Sequence, residues 1–398
     1  MFKSIIKGIS ISFTLLSTLF SCSTTNDLIL DNQNLYTENN LIQSSSIATT
    51  NLPLWVMFNN AYKITTEENE AIGRASKNNP EKYFLGLIKN AKNYINGAFY
   101  DIDDPEVTNA FIEAHKRGVK VRLVTDTDNL VSKEDPTQPR KAIMDLKASG
   151  IQVIDDKRNG LMHHKFMVVD DNKVWTGSWN LTTSSMFHHN NNALLITSKE
   201  LAQNFNAEFE RMFKQNMFGP NSHDIPYKQV KVDDATISLY FSPKGGTQDA
   251  VLEELKKAQK SIKFMTFSLT DKNTQNIILE KKKQGLKIEG VFDDCMARNS
   301  YSLYRPFRQN GIYSLRDGNQ ALMHHKVIII DDQTVITGSF NYSKNAEETN
   351  NENTLIIKSQ KVAKFYNQEY GRIKYAALNN KNIPEYDHPA CGGKGPDK

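Results

Sequence analysis

Apolar positions along the chain alternate between two periods. Phe84, Leu87, Ile88 and Ala91 recur at i, i+3, i+4 and i+7, the spacing of one apolar helix face. Val107, Ala110, Phe111 and Ala114 repeat it and stop at Gly118, a helix-ending residue. Residues 119–125 and 151–154 then read as strands, with counterparts at 286–292 and 312–315. Residues 165–169 and 326–330 are almost wholly apolar, which suits strands covered on both faces. Two stretches each read helix, strand, helix, strand, helix, strand, hairpin strand, helix. Helices alternating with buried strands predict the α/β class, with an α-β-α sandwich in each stretch.

The two stretches are one unit written twice. Met162-His163-His164-Lys165 returns as Met323-His324-His325-Lys326 at an offset of 161, and Asp170, Gly177, Ser178, Asn180 and Asn192 return as Asp331, Gly338, Ser339, Asn341 and Asn353. Upstream the offset is 167, matching Ala91 with Ala258, Gly118 with Gly285 and Asp126 with Asp293. The first copy therefore carries a longer loop between Asp126 and Gly150, where Pro136 and Pro139 stand. A period this long means a duplicated domain rather than a solenoid. Copy one runs over about residues 82–215 and copy two over about 236–375, separated by a stretch holding Pro220 and Pro226.

Composition changes this picture only at the ends. Apolar residues at 39% and charged residues at 24% are globular values, which excludes a disordered or collagen-like chain. Lys3 and Lys7 precede a short apolar run from Ile9 to Phe20, the length of an export signal and short of the ~20 residues that span a bilayer. The following Leu19-Phe20-Ser21-Cys22 resembles a bacterial lipoprotein signal, with Phe20 where a small residue is usual; that resemblance implies acylation at Cys22. The expected organisation is a signal peptide over 1–21, a flexible tether over 22–51, domain one over 52–219, a linker over 220–235, domain two over 236–378 and a tail over 379–398. The expected location is outside the cytoplasm, in the cell envelope with an N-terminal lipid attaching the protein peripherally to a membrane, or otherwise secreted by a plain secretory peptide. Net charge is +4, and loss of Lys3 and Lys7 with the signal leaves +2, which favours neither lipid nor nucleic acid. Cys295 and Cys391 are free to pair or to remain thiols.

Candidate chemistry lies in the repeated segment. His163-x-Lys165-x4-Asp170-x6-Gly177-Ser178-x-Asn180 is matched by His324-x-Lys326-x4-Asp331-x6-Gly338-Ser339-x-Asn341. Strand alternation puts each His and its Lys on one face. A His beside an ammonium on a buried sheet is costly unless an anion meets them, and Lys, Ser, Asn and backbone N–H groups are donors suited to phosphate oxygens. Histidine adds a nucleophile or proton carrier. His164 and His325 fall on the opposite face, as packing or hydrogen-bonding residues. Asp126, Asp128, Asp293 and Asp294 read as structure or as the rim of a phosphate site, and their spacing matches no metal motif.

These paired segments resemble the HKD motifs of the phospholipase D superfamily over roughly residues 82–375. The resemblance implies two phospholipase D-like halves around a pseudo-two-fold axis, a monomer with one shared site, and no metal or other cofactor. It implies a covalent phosphohistidine on His163, with His324 as general acid, and counts Lys165, Lys326, Asp170 and Asp331 with the catalytic residues. It places Ser178, Asn180, Ser339 and Asn341 on the phosphoryl oxygens. By position alone, Asp170 and Asp331 suit the turn after each strand. The family commonly has a carboxylate after the GSxN segment; copy two has Glu352, whereas copy one has Asn191. Read within each copy, this predicts that Glu352 makes His324 the more basic histidine. The expected substrate is a phospholipid head-group ester, with an exported nuclease acting on DNA or RNA as the alternative.

Overall fold

The computed structural model describes residues 53–380 apart from Asn78, Glu134 and 221–223. The segments expected to form the signal and tether, with Cys22, and the tail past residue 380, with Cys391, lie outside the described residues. Cys295 is disulfide-bonded.

Each half is built on one mixed sheet. The first contains β1 (Leu54–Phe58), β2 (Tyr94–Phe99), β3 (Lys120–Thr125), β4 (Gln152–Asp155), β5 (Lys165–Val169), β6 (Lys173–Gly177) and β7 (Asn192–Thr197), in spatial order β1-β7-β6-β5-β2-β3-β4. β2, β3 and β4 are parallel and the other pairs antiparallel. The second contains β8 (Gln229–Val232), β9 (Ala235–Ser242), β10 (Ser261–Thr266), β11 (Lys287–Phe292), β12 (Tyr313–Arg316), β13 (Lys326–Ile330), β14 (Thr334–Gly338) and β15 (Glu352–Lys358). Its order is β12-β11-β10-β13-β14-β15-β9-β8.

Along β5, Phe166 and Val168 face one apolar cluster and Met167 and Val169 another, so the strand is buried on both sides as its composition predicts. The outer clusters pack helices Pro80–Asn90 and Pro105–Lys116 on the first sheet, and Thr247–Lys257 and Lys272–Lys283 on the second. Helices Lys199–Phe213 and Gln360–Asn379 form the inner layer. Phe205, Phe209, Tyr366 and Ile373 from these helices share one core with Phe166 and Val168 of β5 and Val327 and Ile329 of β13. Burying each such side chain is worth about 1.5–3 kcal/mol, so this common core holds the halves as one body.

Some strands are absent from the expected order. β7 and β15 follow the GSxN segments, and β1 and β9 pair with them. The expected linker over 220–235 also contains β8, which forms a hairpin with β9. β1, β8 and β9 lie outside the residues by which the repeat is recognised, β7 and β15 enter it only through Asn192 and Asn353, and Gln229–Val232 is too short for its alternation to stand out.

Candidate active site

Both histidines arrive at equivalent sheet edges. Phe99, the last residue of β2, pairs with Lys165, the first of β5, so the segment before β5 opens at the carboxyl ends of the parallel strands, the usual place for a crevice in such sheets. His163 stands ahead of the strand, not within it as simple alternation implies, because its backbone pairs with the other half. Its N–H donates to Asn351 O at 2.9 Å, while Asn351 N–H donates to Leu161 O at 2.8 Å. In mirror fashion His324 N–H donates to Asn190 O at 2.9 Å, and Asn190 N–H to Leu322 O at 2.9 Å. Each histidine is thus held in a short bridge across the domain boundary. Lys165 Nζ donates to His163 O at 2.8 Å and Lys326 Nζ to His324 O at 2.9 Å. Tyr100 lies edge-on to His163 and beneath Lys165, and Phe267 does the same for His324 and Lys326.

The side-chain partners cross in the same way, and this corrects the expectation that Glu352 supports His324. Glu352 Oε2 lies 2.7 Å from His163 Nδ1. His324 Nδ1 faces Asn191 Oδ1 at 2.9 Å and Ser178 O at 3.1 Å. Asn191 is oriented by its own amide, which donates to Ser185 O at 3.0 Å, and by Ser178 Oγ, which donates to Asn191 Oδ1 at 2.7 Å. Both histidines therefore face acceptors at Nδ1. That fixes the proton there and leaves Nε2 with its lone pair. The carboxylate belongs to His163 because residue 352 follows directly on Asn351, whose carbonyl already holds that histidine.

Burial dominates the electrostatics. It pushes His163 down to about 4, with Glu352 opposing and Lys165 adding to the shift. Burial likewise carries Lys165 down to about 7, opposed by Glu352, Asp101 and Asp126. His324 and Lys326 are held well below their usual values by burial, then by neighbouring basic groups: Lys326, His189, Lys165 and His163 act on His324, and Lys165 acts on Lys326. Burial thus disfavours the charged form of His324, and the carboxylate expected to make it the more basic histidine lies on His163 instead. Four buried basic groups crowd one place, and an anion entering there would restore their charge.

The remaining site residues divide. Asn180 and Asn341 keep buried Oδ1 atoms without a protein hydrogen bond; these oxygens are acceptors, so they suit a donor such as a hydroxyl or water, and only the amide N–H groups could meet phosphoryl oxygens. Ser178 Oγ is engaged with Asn191 and accepts Asn192 N–H at 3.1 Å, and Ser339 Oγ accepts Asn353 N–H at 3.0 Å; both hydroxyls order the strand entering from the GSxN loop. Gly177 and Gly338 permit this closeness, since an added Cβ would stand 2.2 Å from Asn192 O or Asn353 O. Asp170 and Asp331, grouped by the resemblance with the catalytic residues, lie at the opposite end of β5 and β13. The Asp170 carboxylate accepts the N–H groups of Lys92, Asn93 and Tyr94 at 2.8, 2.7 and 3.1 Å. Asp331 accepts those of Gln259, Lys260 and Ser261 at 2.8, 2.7 and 2.8 Å. Each pins a hairpin turn to the start of its neighbouring strand and touches no catalytic group.

Asp126 and Asp293 accept the N–H of Met162 and Met323 at 2.7 and 2.9 Å, steadying the backbone just before each histidine; burial raises both to about 7. Among the described residues no group of three or more His, Cys, Asp or Glu could hold a metal ion. His164 and His325 face the inner layer as expected. Their Nε2 atoms meet Glu208 and Glu369 at 3.2 and 3.0 Å, and those carboxylates are paired with Arg211 and Arg372. His189 borders the site, its ring 6.1 Å from that of His324. Tyr100 and Phe267 escaped the motif search, although the upstream offset of 167 aligns them.

A family model described as "Cardiolipin synthase, PLD-like domain" matches residues 84–213 and 251–374. A protein named phospholipase D from Rickettsia prowazekii is 26% identical over 163 residues, 41% of this chain and 80% of that protein. A mitochondrial cardiolipin hydrolase from Xenopus tropicalis is 31% identical over 148 residues, 37% of this chain and 67% of that protein. The crystal structure of a phosphatidylserine synthase from Haemophilus influenzae Rd KW20 superposes with a TM-score of 0.62 at 16% identity, covering 85% of this chain and 89% of that one; at this identity the likeness is one of fold.

Proposed function

The chain belongs to the phospholipase D superfamily and is a phosphodiesterase, and we propose that it hydrolyses phospholipid head-group esters through a phosphohistidine on His163. The observation that carries the mechanism is the Glu352–His163 contact at 2.7 Å. A carboxylate on Nδ1 stabilises the positive charge that develops on an attacking imidazole, whereas an amide fixes only the tautomer.

In the first step Nε2 of His163 forms a bond to phosphorus as the bond to the head-group oxygen breaks. His324, protonated once the anionic substrate sits beside it, passes its Nε2 proton to that oxygen. In the second step water attacks phosphorus, the phosphorus–nitrogen bond breaks, and His324 takes the water's proton. Lys165, Lys326, Asn180 and Asn341 hold the phosphoryl oxygens throughout. Splitting a difficult displacement in two suits a stable diester.

Two relatives named for lipid substrates, a phospholipase D and a cardiolipin hydrolase, support lipid as the substrate class. The leader read in residues 1–22 supports export and an acyl anchor at Cys22, which would keep a monomeric enzyme beside a membrane at high effective concentration.

The test is purified protein beginning at Cys22, in EDTA, offered labelled phosphatidylcholine, cardiolipin, and single- and double-stranded DNA. Release of lipid head groups without DNA cleavage is the expected result. Cleavage of DNA without lipid turnover would overturn the lipid reading in favour of a nuclease, and loss of all turnover in EDTA would overturn the metal-independent mechanism.

A further inference from the structure

Arg158 lies in the segment between β4 and β5, outside every motif of the repeat, yet it reaches into the opposite half. Nη1 donates to Asn351 Oδ1 at 3.0 Å and Nη2 to Thr349 O at 2.6 Å. Asn351 Oδ1 also accepts Gly219 N–H at 2.9 Å, where the chain leaves the first half. Two glycines make room for the guanidinium. An added Cβ at Gly219 would stand 2.7 Å from Arg158 Cζ, and one at Gly160 would stand 2.5 Å from Nη2 and 2.9 Å from Thr349 O. A planar fork donating to a side-chain oxygen and a nearby carbonyl is a use for which lysine is no equal substitute.

What the fork grips leads directly to the chemistry. Asn351 O holds His163 N–H, and the next residue, Glu352, meets His163 Nδ1. The pseudo-symmetric position to Arg158 is Asn319, whose amide donates to Asn190 Oδ1 at 2.8 Å and His188 O at 2.9 Å. Asn190 in turn holds His324 N–H. The same clasp thus exists twice, with a charged guanidinium on the side of the carboxylate-supported histidine and a neutral amide on the other.

We propose that Arg158 is a positioning residue that fixes residues 349–352 of the second half and thereby keeps Glu352 seated on His163. It acts through Asn351 and touches no reacting atom. A displacement of about 1 Å at a catalytic group costs up to ~100-fold in rate, so the seat matters even though it lies away from phosphorus. The inference rests on the histidine chemistry proposed above and not on the choice of lipid.

The test uses the full protein and bis(p-nitrophenyl) phosphate, with Arg158→Ala, Arg158→Lys and Gly160→Ala. Gly160 is half-buried, and an added methyl there would press on the guanidinium and on the Thr349 carbonyl that it grips. Expected in Arg158→Ala and Gly160→Ala is a ~10- to 100-fold fall in kcat with KM changed less than about twofold. Arg158→Lys should recover only part of the loss.

The acid limb of kcat/KM should also move to lower pH, since His163 loses the one group facing it that favours its charge. Glu352 raises its proton affinity, while Lys165 and Lys326 lower it; His324 is coupled to it, and Asp156 is the acid that feels Arg158. Independently of turnover, the hydrogen-bonded Nδ1 proton of His163 should give a downfield 1H resonance in the wild type that is absent from Glu352→Gln and shifted or lost in Arg158→Ala. A folded Arg158→Ala or Gly160→Ala with that resonance and the acid limb unmoved would overturn the proposal. Loss of wild-type turnover alone would instead count against the catalytic reading.

Discussion

The two histidines sit in nearly matching cradles and differ most in the side chain that meets Nδ1. Each has a bridge to the other half, a lysine on its carbonyl, an aromatic ring at its side and an aspartate on the preceding N–H. At Nδ1, however, His163 meets the Glu352 carboxylate and His324 meets the Asn191 amide. The cradle fixes ring orientation equally on both sides. The difference lies in charge: a carboxylate stabilises an imidazole as it becomes cationic during attack, and an amide leaves its imidazole readier to give a proton away. Duplication supplied two equivalent positions, and Glu352 in place of Asn191, with Arg158 in place of Asn319 behind it, made them unequal.

The largest expected effect comes from removing either ring. His163→Asn and His324→Asn should each lose about 10⁴-fold or more in kcat on a lipid diester. With bis(p-nitrophenyl) phosphate, whose leaving group needs no acid, only His324→Asn should accumulate a phosphoenzyme detectable by intact-protein mass. A phosphoenzyme on His163→Asn would reverse the assignment.

A smaller effect sharpens the comparison at Nδ1. Glu352→Gln should lower kcat by about 10²- to 10³-fold, and Asn191→Ala by about tenfold, because the first loses charge stabilisation and the second only orientation. The sign of the pH dependence follows from the shifts. His163, lowered to about 4, is neutral and nucleophilic above that pH, whereas Lys165, lowered to about 7, loses its ammonium as pH rises past it. The kcat/KM profile of the wild type should therefore peak between about pH 4 and pH 7, with the acid limb moving lower in Glu352→Gln. A plateau extending to pH 9 would show that Lys165 keeps its charge.

The smallest effect on chemistry is expected at the aspartates of the repeated motif. Asp170→Ala and Asp331→Ala each leave three backbone N–H groups without their acceptor and should cost about 1–3 kcal/mol in denaturant unfolding. The folded fraction should keep kcat within a few-fold. A 10³-fold loss in a fully folded variant would place these carboxylates in the reaction after all.

Much of this was legible in the chain. The offsets of 161 and 167 identified the duplication, the apolar runs at residues 165–169 and 326–330 identified the doubly covered strands, and the spacing of His and Lys picked out the basic groups that the fold brings together at the domain boundary. The roles of Ser178 and Ser339 were less legible, because a hydroxyl suited to phosphate is equally suited to the backbone N–H it meets here. Arg158 carried no signal, since its counterpart is Asn319 and a repeat search rewards identity.

By itself the sequence determined the α/β class, the two homologous halves and the residue types of the site, since periodicity and repetition are one-dimensional properties. Tertiary structure alone decided which half serves which histidine. Comparing repeats aligns Glu352 with Asn191 and His324 with His163, and so invites pairing within a copy. The pseudo-two-fold arrangement instead joins residues 351 and 352 to His163 and residues 190 and 191 to His324. No spacing along the chain distinguishes the two arrangements, because both keep the same residues at the same separations. Only the packing of the halves against their shared inner helices sends each supporting side chain across the boundary.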